Sequence, residues 1–209
     1  MIRILIADDH AVVRKGLKQI ITDEFPSATF VEVSDVESLL MQVIKENWDV
    51  IICDISMPGR SGVDALEQIK QIKPGIPVLM MSMHHEDQYA LRVLKAGASG
   101  YLNKSSVHEE LIKAIHTVRI GRKYITPSIA EKLAGALNAS TGKQLYETLS
   151  NREFEILKMI ASGKSISDIA AQLSLSATTV STYRSRILEK MSMKSNADIT
   201  RYALENGLI

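Results

Sequence analysis

Through its first 120 residues the chain alternates, five times over, a short apolar run with an amphipathic stretch at helical spacing, and that rhythm admits few architectures. The apolar runs are residues 2–7, 29–33, 50–53, 78–81 and 100–102. Several are apolar on both faces, as a strand covered by helices on each side must be. The helical stripes are Val12, Val13, Leu17, Ile20 and Ile21; Leu39, Leu40, Val43 and Ile44; Val63, Leu66, Ile69 and Ile72; a looser Tyr89, Leu91, Val93 and Leu94; and Leu111, Ile112, Ile115 and Val118. Ser34 with Glu37 and Ser106 with Glu109 have the spacing of capping boxes, and Gly97 stands where the fourth helix should end. The expected fold class is α/β, a doubly wound domain around a five-stranded parallel sheet.

After Gly121 the rhythm stops. Residues 127–137 suit one connecting helix, and residues 138–144 are small and polar, the composition of a flexible tether. A second domain begins near Leu149: Ser150 and Glu153 form a capping box, Phe154, Ile156, Leu157 and Ile160 follow at helical spacing, and Gly163 closes that helix. Three more helices fit residues 167–173, 177–191 and 196–205, and nothing there reads as strand. The expected domains are 1–120, a connecting helix and linker over 121–148, and a small all-α domain over 149–209. A chain of 209 residues has room for two modest cores.

Composition removes several classes. With 45% hydrophobic and 23% charged residues the chain is neither disordered nor fibrous. Its longest apolar stretches fall far short of the roughly 20 residues that cross a bilayer. The N-terminal apolar run meets Asp8, Asp9 and His10 too soon for a signal peptide, and a single cysteine, Cys53, supports neither a disulfide nor a zinc cluster, so a cytoplasmic protein is expected. Net charge is +1, yet residues 1–120 carry 13 Lys+Arg against 16 Asp+Glu, whereas residues 149–209 carry 8 against 6. Arg184, Arg186, Lys190 and Lys194 fall within eleven residues, which suits either a phosphate backbone or a solvated helix face.

In an open parallel sheet the ligand crevice lies beyond the carboxyl ends of the strands. There the first run is followed by Asp8 and Asp9, the third by Asp54, the fourth by Ser82 and the fifth by Lys104. Three converging carboxylates repel by roughly 1 to 4 kcal/mol per pair at ~4 Å, so cations must join them. Lys104 supplies one, and Mg2+, a hard ion that takes carboxylate oxygens and keeps open positions for water or phosphate, supplies the other. Singly, each constituent has an ordinary reading: two aspartates after a strand can cap a helix, and one lysine can be surface charge. His10, His84 and His85 read as helix-start and loop residues, Cys53 and Trp48 as packing, and Met80, Met81 and Met83 as core filler.

Taken together, Asp8-Asp9, the Asp54-Ile-Ser-Met-Pro-Gly59 stretch, Ser82, the Ala96-Gly97-Ala98 turn, and Tyr101 three residues before Lys104 resemble the receiver domain of two-component response regulators, a flavodoxin-like fold. The resemblance implies that Asp54 accepts a phosphoryl group, that Asp9, Asp54 and the Ser56 carbonyl bind Mg2+ with Asp8 acting through water, that Lys104 holds the phosphoryl oxygens, and that Ser82 and Tyr101 relay the switch. Many receivers have proline after the lysine, where this chain has Ser105. The C-terminal words Leu149-Ser-Asn-Arg-Glu153, Gly163-Lys-Ser-Ile-Ser-Asp-Ile-Ala170, Leu173-Ser-Leu-Ser176, Thr179-Val180 and Ile187-Leu-Glu-Lys190 are similar to the LuxR-type helix-turn-helix of the NarL/FixJ group. Ile169, Leu173, Leu175, Val180 and Ile187 then form one small core, and Ser176 caps the recognition helix. Along it, Thr178, Thr179, Ser181, Thr182, Arg184 and Ser185 are the candidates for base edges and phosphates, and Arg186, Lys190 and Lys194 for backbone contacts. That group often has a basic residue at Ser181 and histidine at Tyr183.

The expected function is a phosphorylation-dependent DNA-binding transcription regulator, not an enzyme, with a sensor histidine kinase, double-stranded DNA presenting two half-sites, and a second copy of itself as partners. Two other readings stay open. An aspartate-nucleophile phosphatase would want a second carboxylate two residues after Asp54, where Ser56 stands. A phosphate-independent regulator would use the first domain only to dimerise.

Overall fold

The structure is a computed structural model that describes residues 1–57, 60–83, 86–138 and 145–209. Pro58 and Gly59 of the motif after Asp54, His84 and His85, and residues 139–144 of the expected tether lie outside the described residues. The chain divides into two compact units, Met1–Asn138 and Ala139–Ile209.

The first unit is the expected five-stranded parallel sheet, in the order β2-β1-β3-β4-β5. Its strands are β1 (Arg3–Ala7), β2 (Thr29–Val33), β3 (Val50–Asp54), β4 (Val78–Ser82) and β5 (Gly100–Asn103). The helices that alternate with them are α1 (Ala11–Glu24), α2 (Val36–Lys45), α3 (Gly62–Ile72), α4 (Glu86–Lys95) and α5 (Val107–Arg119). Strand order reverses between β1 and β3, and their register pairs Ala7 with Cys53. The residues just past those partners, Asp8 and Asp54, therefore emerge side by side at the switch point where an open sheet leaves a crevice. β3 and β4 are buried along their whole length, as the apolar runs 50–53 and 78–81 require, and each ends in a buried polar residue, Asp54 or Ser82.

The core gathers Ile4, Ile6, Leu17, Ile21, Val50, Ile52, Leu79, Met81, Leu102, Leu111 and Ile115, each at most 2% exposed. Not every apolar residue of the expected stripes joins it. Val12, Ile44 and Ile72 are 83%, 64% and 42% exposed, because each sits at a helix end where the stripe has rotated off the sheet. Met80 and Met81 fill the core as expected, whereas Met83, one residue beyond β4, is 73% exposed.

Two of the expected caps differ. α2 is capped by Asp35 and not by Ser34: Asp35 holds the extended conformation at the helix start and its carboxylate accepts the Ser38 N–H at 2.8 Å. Ser106 precedes α5 but donates its hydroxyl back to the Asn103 carbonyl at 3.3 Å, so no capping box forms. Gly97 follows α4 with φ +101°, the left-handed position its placement required.

Past α5 the chain adds a short edge. Tyr124 bridges Gly100, its N–H bonding the Ser99 carbonyl at 2.8 Å, and α6 (Pro127–Asn138) then packs against α4 with Ile129 buried. The connecting helix thus belongs to the first compact unit.

The second unit is all helix: a 3-10 turn at Leu145–Thr148, then α7 (Asn151–Ala161), α8 (Ile166–Gln172), α9 (Ala177–Lys190) and α10 (Asn196–Glu205). Ile169, Leu173, Val180 and Ile187 are at most 4% exposed, Phe154, Ile156, Leu157 and Ile199 are fully buried, and α7 packs on α8, α9 and α10, while Leu175 is half-buried. Ser150, Ser165 and Ser195 open full capping boxes, and Ser176 accepts the Thr179 N–H at 3.0 Å. The α8–α9 turn passes through Ser174 at φ 53°.

Candidate functional site

At the carboxyl end of the sheet, Lys104 joins what the sequence only placed nearby. Its Nζ lies 2.7 Å from Asp8 Oδ2 and 2.8 Å from Asp54 Oδ2. Asp8 and Asp54 are 0% and 2% exposed, so neither carboxylate relies on bulk water for its charge. The Lys104 N–H also bonds the Ser82 carbonyl at 2.8 Å, so the β4–β5 ladder fixes where the lysine starts.

Burial raises the Asp54 carboxyl above the ordinary carboxylate range; Lys104 pulls it back and Asp8 pushes it further up. For Lys104 burial acts downward, but Asp54 and Asp8 outweigh it and hold the ammonium above its usual value. Cys53, buried behind the pocket, has its thiol driven far up by burial and by both aspartates, consistent with the packing role expected of it.

Asp9 is half-buried on the rim, and Ser56, just past Asp54, is exposed, its backbone N–H favouring the ionised form of Asp54. One ligand atom each from Asp8, Asp9, His10 and Asp54 lies within 4.8 Å of all the others. The oxygens among them, with the Ser56 carbonyl close by in sequence, are the donor chemistry of a hard divalent ion, so the residues fit a cation such as Mg2+. Ser82 is 1% exposed at the end of β4, and Tyr101 on β5 is completely buried. Tyr101, expected to relay the switch with Ser82, thus already has its ring inside. No peptide bond is cis among the described residues, Lys104–Ser105 included.

One determinant of this pocket escaped the sequence reading. A Cβ on Gly62 would stand 2.0 Å from the Asp54 carbonyl oxygen, while the Gly62 N–H bonds the Ile55 carbonyl at 2.8 Å. The close approach of the first residue of α3 to the Asp54 carbonyl therefore requires a glycine. The signal was present as Ser61-Gly62, a cap followed by a residue with no side chain.

In the second unit, α9 presents Thr178, Ser181, Thr182, Ser185 and Arg186 to solvent, with Thr179 and Arg184 half-buried. Thr182 and Ser185 donate their hydroxyls to carbonyls one turn back, Thr178 and Ser181, at 3.0 and 3.1 Å. Arg184 Nε donates to Asn196 Oδ1 at 2.6 Å, which fixes its stem. Lys194 is exposed beyond the helix.

Lys190 is different. Its Nζ lies 2.7 Å from Glu153 Oε2, and Glu153, 4% exposed in its side chain, also accepts the Ser150 N–H at 2.7 Å. Beside it Arg152 donates to Glu155 Oε2 at 2.6 Å and to the Leu173 carbonyl at 3.3 Å. The half-exposed Lys190–Glu153 pair ties α7 to the end of α9, and buried Arg152 ties α7 to the turn after α8, contacts that sequence spacing does not reveal.

Known proteins share both halves. A family model described as the response regulator receiver domain matches residues 4–116, and one described as bacterial regulatory proteins of the luxR family matches residues 147–203. The response regulator UvrY of Escherichia coli is 32% identical over 100% of this chain and 96% of its own. A structure of the Salmonella typhimurium RcsB response regulator, described for its conformational dynamism in DNA interaction, is 25% identical, covers 97% of this chain and 98% of that one, and superposes with a TM-score of 0.61. A structure of two RcsB dimers bound to two parallel DNAs is 25% identical over 96% and 97% of the two chains, with a TM-score of 0.60.

Proposed function

The chain belongs to the response regulators that join a receiver domain to a LuxR-type DNA-binding domain, transcription regulators rather than enzymes, and from that premise we propose how its own residues carry the signal. Residues 1–120 act as the receiver, 121–148 as the connecting segment and 149–209 as the DNA-binding domain. Asp54 is the phosphoacceptor. One of its carboxylate oxygens attacks the phosphorus of a sensor kinase phosphohistidine or a small acyl phosphate, the bond to the donor breaks, and the electron pair leaves with the donor. Lys104, already paired with Asp54, turns its charge to a phosphoryl oxygen. Asp8, Asp9, Asp54 and the Ser56 carbonyl would hold Mg2+, which when bound supplies positive charge where the phosphoryl oxygens gather.

Phosphorylation adds about one negative charge and three acceptor oxygens beside the Ser82 hydroxyl. Ser82 and Tyr101 relay that change along β4 and β5 toward the face made with α4 and α5. Because Tyr101 is buried already, the switch works by shifting a population in which the inward ring is present, rather than by creating that state anew. The output is pairing of two copies on DNA with two half-sites. α9 enters the major groove, with Thr178, Thr179, Ser181, Thr182, Arg184 and Ser185 toward bases and phosphates, and Arg186 and Lys194 on the backbone. Among the described residues no helix is long and apolar enough to cross a membrane, and this function places the protein in the cytoplasm.

The observation that carries the reading is the Lys104 ammonium held between Asp8 and Asp54, two buried carboxylates at the neighbouring ends of β1 and β3. Incubation with acetyl phosphate and Mg2+ followed by intact-mass measurement tests it. Wild type gains a single phosphoryl adduct, and Asp54→Asn gains none; an equal adduct on both would move the acceptor elsewhere.

A further inference from the structure

Beside the three aspartates the pocket holds a nitrogen that the assigned roles do not use. The His10 N–H donates to Asp8 Oδ1 at 2.8 Å, which fixes the residue over the acidic pair. Its ring Nδ1 then lies 2.8 Å from Asp9 Oδ1 and 3.3 Å from Asp8 Oδ1. A six-coordinate ion with ~2.1 Å bonds holds its ligands about 3 to 4 Å apart, so this imidazole stands at ligand distance from the carboxylates around it. The ring is not needed elsewhere: His10 precedes α1 without a side-chain cap bond, and its side chain is 66% exposed.

We propose that His10 is a further ligand of the pocket's cation, giving a mixed oxygen and nitrogen site that takes borderline divalent ions such as Ni2+ in addition to Mg2+. The proposal rests on the reading of Asp8, Asp9 and Asp54 as a cation site. An all-oxygen site holds hard ions, whereas each imidazole added favours later first-row metals, whose affinity for nitrogen ligands rises toward nickel and copper. Lys104 approaches Asp8 and Asp54 through their Oδ2 atoms, while His10 approaches Asp8 through Oδ1, so the lysine and the imidazole address different oxygens of Asp8.

Calorimetric titration of the full chain with Ni2+ and with Mg2+ tests this, without phosphodonor and with wild type, His10→Ala and Asp9→Asn compared. His10→Ala should weaken Ni2+ about tenfold or more and leave Mg2+ within about twofold. Equal Ni2+ affinity in wild type and His10→Ala would overturn the proposal, as would an equal loss of both metals, which would mark His10 as structural. Asp9→Asn should weaken both ions; Ni2+ binding that survives it unchanged would put that ion at another histidine and also overturn the proposal. Absence of both ions from wild type would instead defeat the underlying reading of the pocket.

Discussion

A carboxylate held out of water costs stability whenever it is ionised, and Asp54 is such a group. Its folded pKa is raised, so the cost is present at neutral pH and is relieved as pH falls through the raised value. Asp54→Asn should therefore unfold at a higher temperature than wild type at pH 7.5, with the difference shrinking toward pH 4. Thermal unfolding across that range checks this, and a destabilised Asp54→Asn at neutral pH would contradict it. The neighbouring glycine makes an opposite prediction. Gly62→Ala sets a methyl carbon against the Asp54 carbonyl and should cost roughly 1–3 kcal/mol, as overpacking does, while slowing adduct formation at Asp54. A variant as stable and as readily phosphorylated as wild type would show that the loop has slack. Sequence spacing identified every charged member of this pocket because each follows an apolar run. It did not reveal Gly62 or the place of the His10 ring, since both depend on how loops fold over the strand ends.

At the scale of elements, period alone located all five strands and the helices that cover them, because burial on one or two faces writes itself directly into sequence. Helix ends were less legible. The cap of α2 shifted to Asp35 and the hydroxyl of Ser106 turned away from α5, each decided by one backbone conformation that neighbouring serines and aspartates compete to fill. On α9, Lys190 stands in the basic cluster that suggests a phosphate contact, and its Nζ also pairs with Glu153 at 2.7 Å, a contact that sequence spacing does not show. As a clamp, Lys190→Met should reduce the stability of the second unit by about 1 kcal/mol and leave unchanged the slope of log affinity against log salt for DNA. Arg186→Ala should lower that slope by about 1. Fluorescence anisotropy over a range of salt separates the two, and a reduced slope for Lys190→Met would return that residue to the DNA. For Glu153, burial acts upward but Lys190 and Ser150 outweigh it, and its carboxyl sits below the ordinary value of 4.5. The pair's contribution is thus present above about pH 4.5 and lost as acid titrates the folded form, a loss that Glu153→Gln should abolish.

For the molecule as a whole, the claim is that chemistry at one strand end of the receiver governs what the second unit does with DNA. The chain leaves the sheet along an edge contact at Tyr124 and then through α6, which packs on α4 beside the face that Ser82 and Tyr101 are proposed to move. On the proposed relay, a change on that face reaches α6. The two-part organisation was legible from the change of period after Gly121; that α6 belongs with the first unit was not, because an amphipathic helix in sequence does not say which surface it covers. The most direct test is size-exclusion and DNA-binding measurement of wild type, Asp54→Asn and Ser82→Ala, each with and without acetyl phosphate and Mg2+, on DNA selected by the protein itself. Phosphorylated wild type should pair and bind that DNA at least about tenfold more tightly, a coupling near 1.4 kcal/mol, while Asp54→Asn stays unchanged and Ser82→Ala gains the adduct but little affinity. Equal DNA affinity and equal oligomeric state of wild type before and after stoichiometric phosphorylation would contradict the account.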